Sequence, residues 1–549
     1  MLLSKDRCAT KGGRSDVGAQ TLAVLMAAVL VAALARRFNL SSPLVLVVAG
    51  LAVGLIPGIP LIILDPDLVL FVLLPPLLWS AGLESSYVNL RRNKRSIGLL
   101  AVGLPLATTA AVGIVAFELV PDLTLAAALT LGAIVAPPDA VSATAIGRRL
   151  GLPRRTMTLL GGESLLNDAT ALTAYKVALA AAIGAATSWT HAVGTFVLAV
   201  VCGILVGVVT GRVIVWVRTR LHDPLVESGI GLVAPFVIYL VAEEAHGSGV
   251  LAVVVAALII GQHSTDAGYE TRLQDDAVWR ALQLLLESFA FLLIGLQLPK
   301  VVGDMTGIRA STVAVASAGV LLTVIVVRIG WVFVFTYLPR LLVRGIRDHE
   351  PAPRAAQVFI VAWAGMRGVV SLAAAFAVPL STLSGEPLPG RPQLVFLTFV
   401  VVIGTLLLHG LTLPWLIRAL GIQGDEAHTD AVRSAAAQTR ASTAAANRLD
   451  EVLAEQRESG EHPGMYQRAA EVLRRWNTAR GDAAWERLGR DDAELGESPA
   501  AAFRRLRLEM LAAERAALIK ERDEQRIDDE VLREMLHGLD LEEATLNRR

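Results

Sequence analysis

The chain has 549 residues, is 54% hydrophobic and 18% charged, and balances 50 basic against 50 acidic side chains for a formal net charge of zero. A mean hydropathy of +0.56 with recurrent apolar runs excludes an ordinary soluble domain. The charge balance excludes no partner, because it averages an apolar part and a charged tail, and Cys8 with Cys202 in an apolar run exclude a disulfide framework.

In chain order, apolar spans are predicted at 18–35, 43–63, 68–88, 97–119, 123–146, 156–185, 190–216, 225–244, 248–263, 279–298, 310–337, 355–380 and 393–419. Basic residues follow the odd spans: Arg36 and Arg37, Arg91 to Arg95, Arg148 and Arg149, Arg218 and Arg220, and Arg340 to Arg354. The stretches Pro57–Pro66, Glu118–Thr124, Thr187–Ala192 and Glu243–Gly247 follow even spans and hold no Lys or Arg. By the positive-inside rule the N-terminus is outside and the C-terminus cytoplasmic. Lys300 and Arg309 oppose that order weakly; Lys5, Arg7, Lys11 and Arg14 oppose it more strongly. With Ala33-Leu34-Ala35 behind an apolar core, residues 1–35 alternatively read as a signal peptide.

The expected organisation is an N-terminal extension at 1–17, a membrane domain at 18–421 and a helical cytoplasmic tail at 422–549. In the tail, Phe503, Leu506, Met510, Ala513 and Ala517 alternate three- and four-residue steps, one face of a helix. That face is expected to pack on the tail itself or on a second subunit. Gly460–Gly464 and Gly496–Pro499 are expected joints.

Ionisable groups at membrane depth carry the chemistry. The sixth span holds Gly162-Glu163-Ser164-Leu165-Leu166-Asn167-Asp168, with Asp168 roughly 18 Å in, near the bilayer middle. Ser164 and Asp168 are four apart and share a face, so their oxygens can meet one hard cation. Glu163 and Asn167 form the adjoining face, towards a neighbouring helix. In the fifth span, Pro137-Pro138 precedes Asp139; two prolines break the helix and free carbonyls beside that carboxylate. The plainer alternative is a proline kink with Asp139 bonded to Ser142 or Thr144. In the twelfth span, Gly365-Met366-Arg367-Gly368 puts a guanidinium between glycines. Arg367 needs a carboxylate there, and Glu163 is the expected partner. Arg328 is expected to pair with an acid or face a water-filled crevice, Glu287 to bond within its bundle, and Lys176 to reach outward. Neither a nucleophile–base set nor a nucleotide fingerprint stands at usable spacing, so an enzyme is not expected.

Together these motifs resemble the monovalent cation/proton antiporters of the NhaP and sodium/proton exchanger family, over roughly residues 20–420. Leu74-Pro75-Pro76-Leu77-Leu78 and Ser248-Gly249-Val250-Leu251-Ala252 are also similar. The resemblance implies an all-α membrane protein of about thirteen helices in inverted repeats, two of them interrupted and crossing, assembled as a homodimer. It implies that Asp139, Ser164 and Asp168 hold Na+, with Asn167 beside the key aspartate and Glu163–Arg367 as an ion pair. Pro138 stands where many relatives have Thr, which leaves only its backbone carbonyl as a ligand. An acid of the third helix is replaced by Ser80, with Glu84 four residues on. The expected activity is exchange of a cation for H+ at one Asp168/Asp139 site, one for one because Asn167 is not a second aspartate, in the service of pH homeostasis. A cation channel without proton coupling is the alternative. No cofactor and no nucleic acid are expected; the partners are the bilayer, cations and protons. Frequent Ala, Val, Gly and Arg suggest a bacterial source, and so the inner membrane.

Overall fold

A computed structural model of the protein describes residues 6–38, 40–56, 66–121, 123–185, 189–221, 223–305, 309–344, 352–422, 426–458, 463–486 and 499–547. The described residues are all-helical in their named elements. Two compact units divide the chain, residues 1–424 and 425–549.

The first unit opens with α1 (Asp6–Arg37), α2 (Ser42–Gly54), α3 (Pro66–Glu84), α4 (Tyr87–Arg92) and α5 (Lys94–Leu119). The start of α1 at Asp6 runs the helix through the stretch expected as an extension. Within α5 a π-helical turn, Leu99–Gly103, loosens the backbone, and the Leu99 carbonyl accepts from Trp331 Nε1 at 3.0 Å. The fifth span is two half-helices, α6 (Leu125–Val135) and α7 (Ala140–Leu150), followed by α8 (Arg154–Ala182). Then come α9 (Trp189–Arg218), α10 (Pro224–Glu244), α11 (Gly249–Gln262), α12 (Tyr269–Gly303) and α13 (Ala310–Leu342). The twelfth span is likewise split, into α14 (Ala355–Trp363) and α15 (Val369–Phe376), before α16 (Arg391–Ala419).

Side-chain caps fix several starts: Thr124 accepts from Ala127 N, Asp223 from Leu225 N and Val226 N, and Ser248 from Leu251 N. Among the described residues, six helices are long and apolar enough to cross a membrane by themselves. Small residues bring helices to backbone contact. At Gly50 of α2 and Gly295 of α12, a Cβ on either would strike the other helix's main chain. One apolar cluster joins α3, α10, α11 and α12 around Trp79, Ile238 and Val253. A second gathers Leu131, Tyr175, Val320, Ala375 and Val401 from the helices that carry the site.

The second unit contains α17 (Glu426–Glu458), α18 (Pro463–Glu486), α19 (Pro499–Asp523) and α20 (Asp529–Asn547). Arg507 grips Glu542 with two bonds of 2.6 and 2.8 Å, and Arg515 reaches Asp540 and Glu543 at 2.7 Å each. The apolar face expected to pack is outward in the single chain: Phe503, Leu506 and Met510 are exposed, while Leu511 and Leu532 are buried. The ion pairs explain the rotation, because they fix which side of α19 meets α20. The expected joints fall largely outside the described residues.

Candidate cation and proton site

Both broken spans meet at their breaks. Pro137 and Pro138 remove two amide donors, so α6 stops at Val135 and α7 starts at Ala140. Across the gap, Asp139 N donates to the Met366 carbonyl at 2.6 Å, which ties one break to the other. Glycine is required at the meeting point. A Cβ on Gly368 would lie 2.6 Å from Asp139 Oδ2, and one on Gly365 would strike the Arg328 side chain. The Asp139 carboxylate thus lies against the residue before α15 and itself immediately precedes α7. Two half-helix N-termini adjoin one carboxylate, the helix end that favours negative charge.

Arginines serve the opposite ends. Arg328 donates through Nε to the Ala362 carbonyl and through Nη2 to that of Val361, both at 3.0 Å. Arg367 donates through Nε to the Val135 carbonyl at 3.1 Å and through Nη1 to Gly365. These are carbonyls that an interrupted helix leaves without partners at its C-terminal end. The Arg367 main-chain N–H is taken by Thr405 Oγ1 at 3.1 Å.

The expected Glu163–Arg367 pair is therefore corrected. Glu163 binds Arg328: Oε1 accepts from Nη1, and Oε2 from Nη2 at 2.9 Å. Both side chains are 1% exposed. Arg328 meets two carboxylate oxygens and two carbonyls at once, whereas Arg367 is turned towards the other break. The Arg328 signal was a lone charge inside an apolar span; nothing local in the chain tells which of two buried arginines faces Glu163.

The remaining predicted residues lie as follows. Asp168 and Asn167 are buried, Ser164 and Asp139 half-buried. Asp168 is within Coulombic reach of Asp139, and Ser164 is on its face one turn back. Asn167 Nδ2 donates to the Pro138 carbonyl at 2.9 Å, so the amide holds the broken segment beside α8. That carbonyl keeps a second lone pair. Ser80 Oγ donates to the Leu77 carbonyl at 2.9 Å, and Glu84 lies 3.5 Å from Arg148. Both line a cavity of about 280 Å³ with Arg218, Asp275 and Trp279 from α9 and α12. Glu287 Oε1 accepts from Gln283 at 2.7 Å within α12. Lys176 reaches the end of α10, where Glu243 accepts from it at 2.6 and 2.7 Å.

Two interrupted helices meet at their breaks beside Asp139, an arrangement in which many secondary transporters build ion sites. A family model described as the transmembrane sodium/hydrogen exchanger matches residues 24–419, and the chain belongs to that family. It is 35% identical over 538 residues, 96% of each chain, to an uncharacterized Na+/H+ exchanger of Mycobacterium tuberculosis. It is 32% identical over 410 residues, 72% of this chain and 61% of the other, to a sodium, potassium, lithium and rubidium/H+ antiporter of Bacillus pumilus. The sodium proton antiporter MjNhaP1 from Methanocaldococcus jannaschii is similar in fold, with a TM-score of 0.57 and 17% identity. That likeness covers 75% of this chain and 99% of the other. The protein is a multi-pass membrane protein of a cation/proton exchanger family, similar to bacterial exchangers.

Proposed function

We propose that the protein exchanges a monovalent cation, Na+ in the first instance, for H+ at one site between Asp168 and Asp139. The observation that carries this reading is the meeting of the two breaks at Asp139, with Asp168 facing them from α8. A carboxylate pair in a low-dielectric interior must be neutralised before it can move, and a cation or a proton does so equally. The Ser164 hydroxyl and the second lone pair of the Pro138 carbonyl add neutral oxygens, which suit a hard cation. Asn167 offers an amide where a second aspartate would add a second proton, so one cation exchanges for one proton. The helices bearing the site move across the membrane when loaded and cross poorly when charged. Inverted repeats, a homodimer, an outside N-terminus and a cytoplasmic tail complete the proposal, in the inner membrane of a bacterium.

Proteoliposomes with an internal pH dye test it. Adding Na+, K+ or Li+ in turn should move protons in the opposite direction, and Asp168→Asn should abolish the signal while the protein stays folded. Normal exchange in Asp168→Asn would sink the site assignment. A cation current without proton movement would make the protein a channel.

A further inference from the structure

Two buried oxygens beside the aspartates lack hydrogen-bond partners: Asn167 Oδ1 and Ser371 Oγ. Their residues are 0% and 1% exposed. Buried polar atoms are nearly always satisfied, so an orphan marks a place where something else binds. Serine in a helix commonly satisfies itself on the preceding turn, as Thr398 does on Leu394 and Thr173 on Ala169. Ser371 does not.

Both orphans belong to segments that flank Asp139. Asn167 is tied through its amide nitrogen to Pro138, next to Asp139. Ser371 stands one turn after Gly368, whose absent Cβ makes room for the Asp139 carboxylate. Gly368 is the extended residue that precedes α15. Ser371 therefore stands in the first turn of α15, next to the glycine that lies against Asp139.

We propose that Ser371 Oγ and Asn167 Oδ1 are neutral oxygen ligands that complete the coordination of the cation held by Asp139 and Asp168. This rests on the exchange reading and deepens it. A hard cation wants about six oxygens, and two carboxylates with Ser164 and one carbonyl leave it short. When a proton replaces the cation, the same two atoms are left bare, which favours cation loading over proton loading. Ser371 thus tunes the competition, not the scaffold.

The test compares Ser371→Ala and Ser371→Thr in full-length protein. In proteoliposomes, Ser371→Ala should raise the apparent KM for Na+ about tenfold at fixed pH, the loss of one charge-assisted contact, with little change in maximal rate. Ser371→Thr restores the hydroxyl and should return KM to near the wild-type value. In detergent without added cation, Ser371→Ala should melt at the wild-type temperature or above, because it removes an unsatisfied group. The upward shift of that temperature on adding Na+ should shrink. An unchanged KM and an unchanged Na+-induced shift in Ser371→Ala would overturn the proposal. So would a raised KM that Ser371→Thr does not lower. Wild-type protein and Asp168→Asn run alongside: if wild-type protein moves no protons with any cation, it is the exchange reading that fails, whereas an unchanged Ser371→Ala in working protein fails this inference alone.

Discussion

Glu163 and Arg328 are 165 residues apart in sequence and form an ion pair in which both side chains are 1% exposed. Removing one partner of such a pair leaves the other buried and unpaired, at a cost of about 3–5 kcal/mol. Glu163→Gln should lower the detergent melting temperature by a corresponding amount, as should Arg328→Gln. The double variant should cost much less than their sum, a coupling above about 1 kcal/mol. A cycle between Glu163→Gln and Arg367→Gln should show a much smaller coupling. If the larger coupling lay with Arg367, the pairing described above would be wrong. Helical periodicity put Glu163 on a face towards a neighbouring helix, and its carboxylate meets Arg328 of α13. The identity of its partner was not legible, because periodicity resolves a face and not which distant helix lies against it.

The broken elements carry the arrangement of charge. Half-helix N-termini address Asp139, and arginines address the carbonyls at the half-helix C-termini. Pro137-Pro138 and the glycines around Arg367 made both breaks legible, since each acts on its own backbone. That Asp139 N bonds to the Met366 carbonyl was not legible, because it depends on how two remote segments cross. Gly368 is where that crossing is tightest. An added methyl in a packed interior costs about 1–3 kcal/mol, and at Gly368 it falls on the Asp139 carboxylate. Gly368→Ala should therefore reduce exchange far more than it reduces the melting temperature. Wild-type exchange rates in that variant would contradict the observed contact.

Taken whole, the chain joins an apolar unit, whose stability comes from burial and close helix packing, to a charged one fastened by exposed ion pairs. In the second unit Arg507 holds the Glu542 carboxyl below its usual range through their hydrogen bond. A carboxylate depressed in the folded state adds stability at neutral pH and loses it as pH falls through and below the ordinary carboxylate range. Hydrogen exchange over residues 499–547 of the intact protein should accelerate on such acidification, and Glu542→Gln should blunt that acceleration. Exchange that is equally protected across that range would argue against the clasp.

The turn of Arg367 away from Glu163 has an electrical consequence. Glu163 and Arg328 cancel each other, so in the proposed site the two aspartates and the Arg367 guanidinium carry a net charge of minus one. If the proposed one-for-one exchange holds, a single Na+ or a single proton adds the same charge to the site, and the two loaded forms present the same charge to the membrane field. An applied voltage acts on net charge moved across the bilayer, at about 2.3 kcal/mol per elementary charge per 100 mV, and the proposed exchange moves none. Exchange rates in proteoliposomes should be the same with an imposed potassium–valinomycin potential of either sign. A rate that follows the potential would mean that another charge travels with the site.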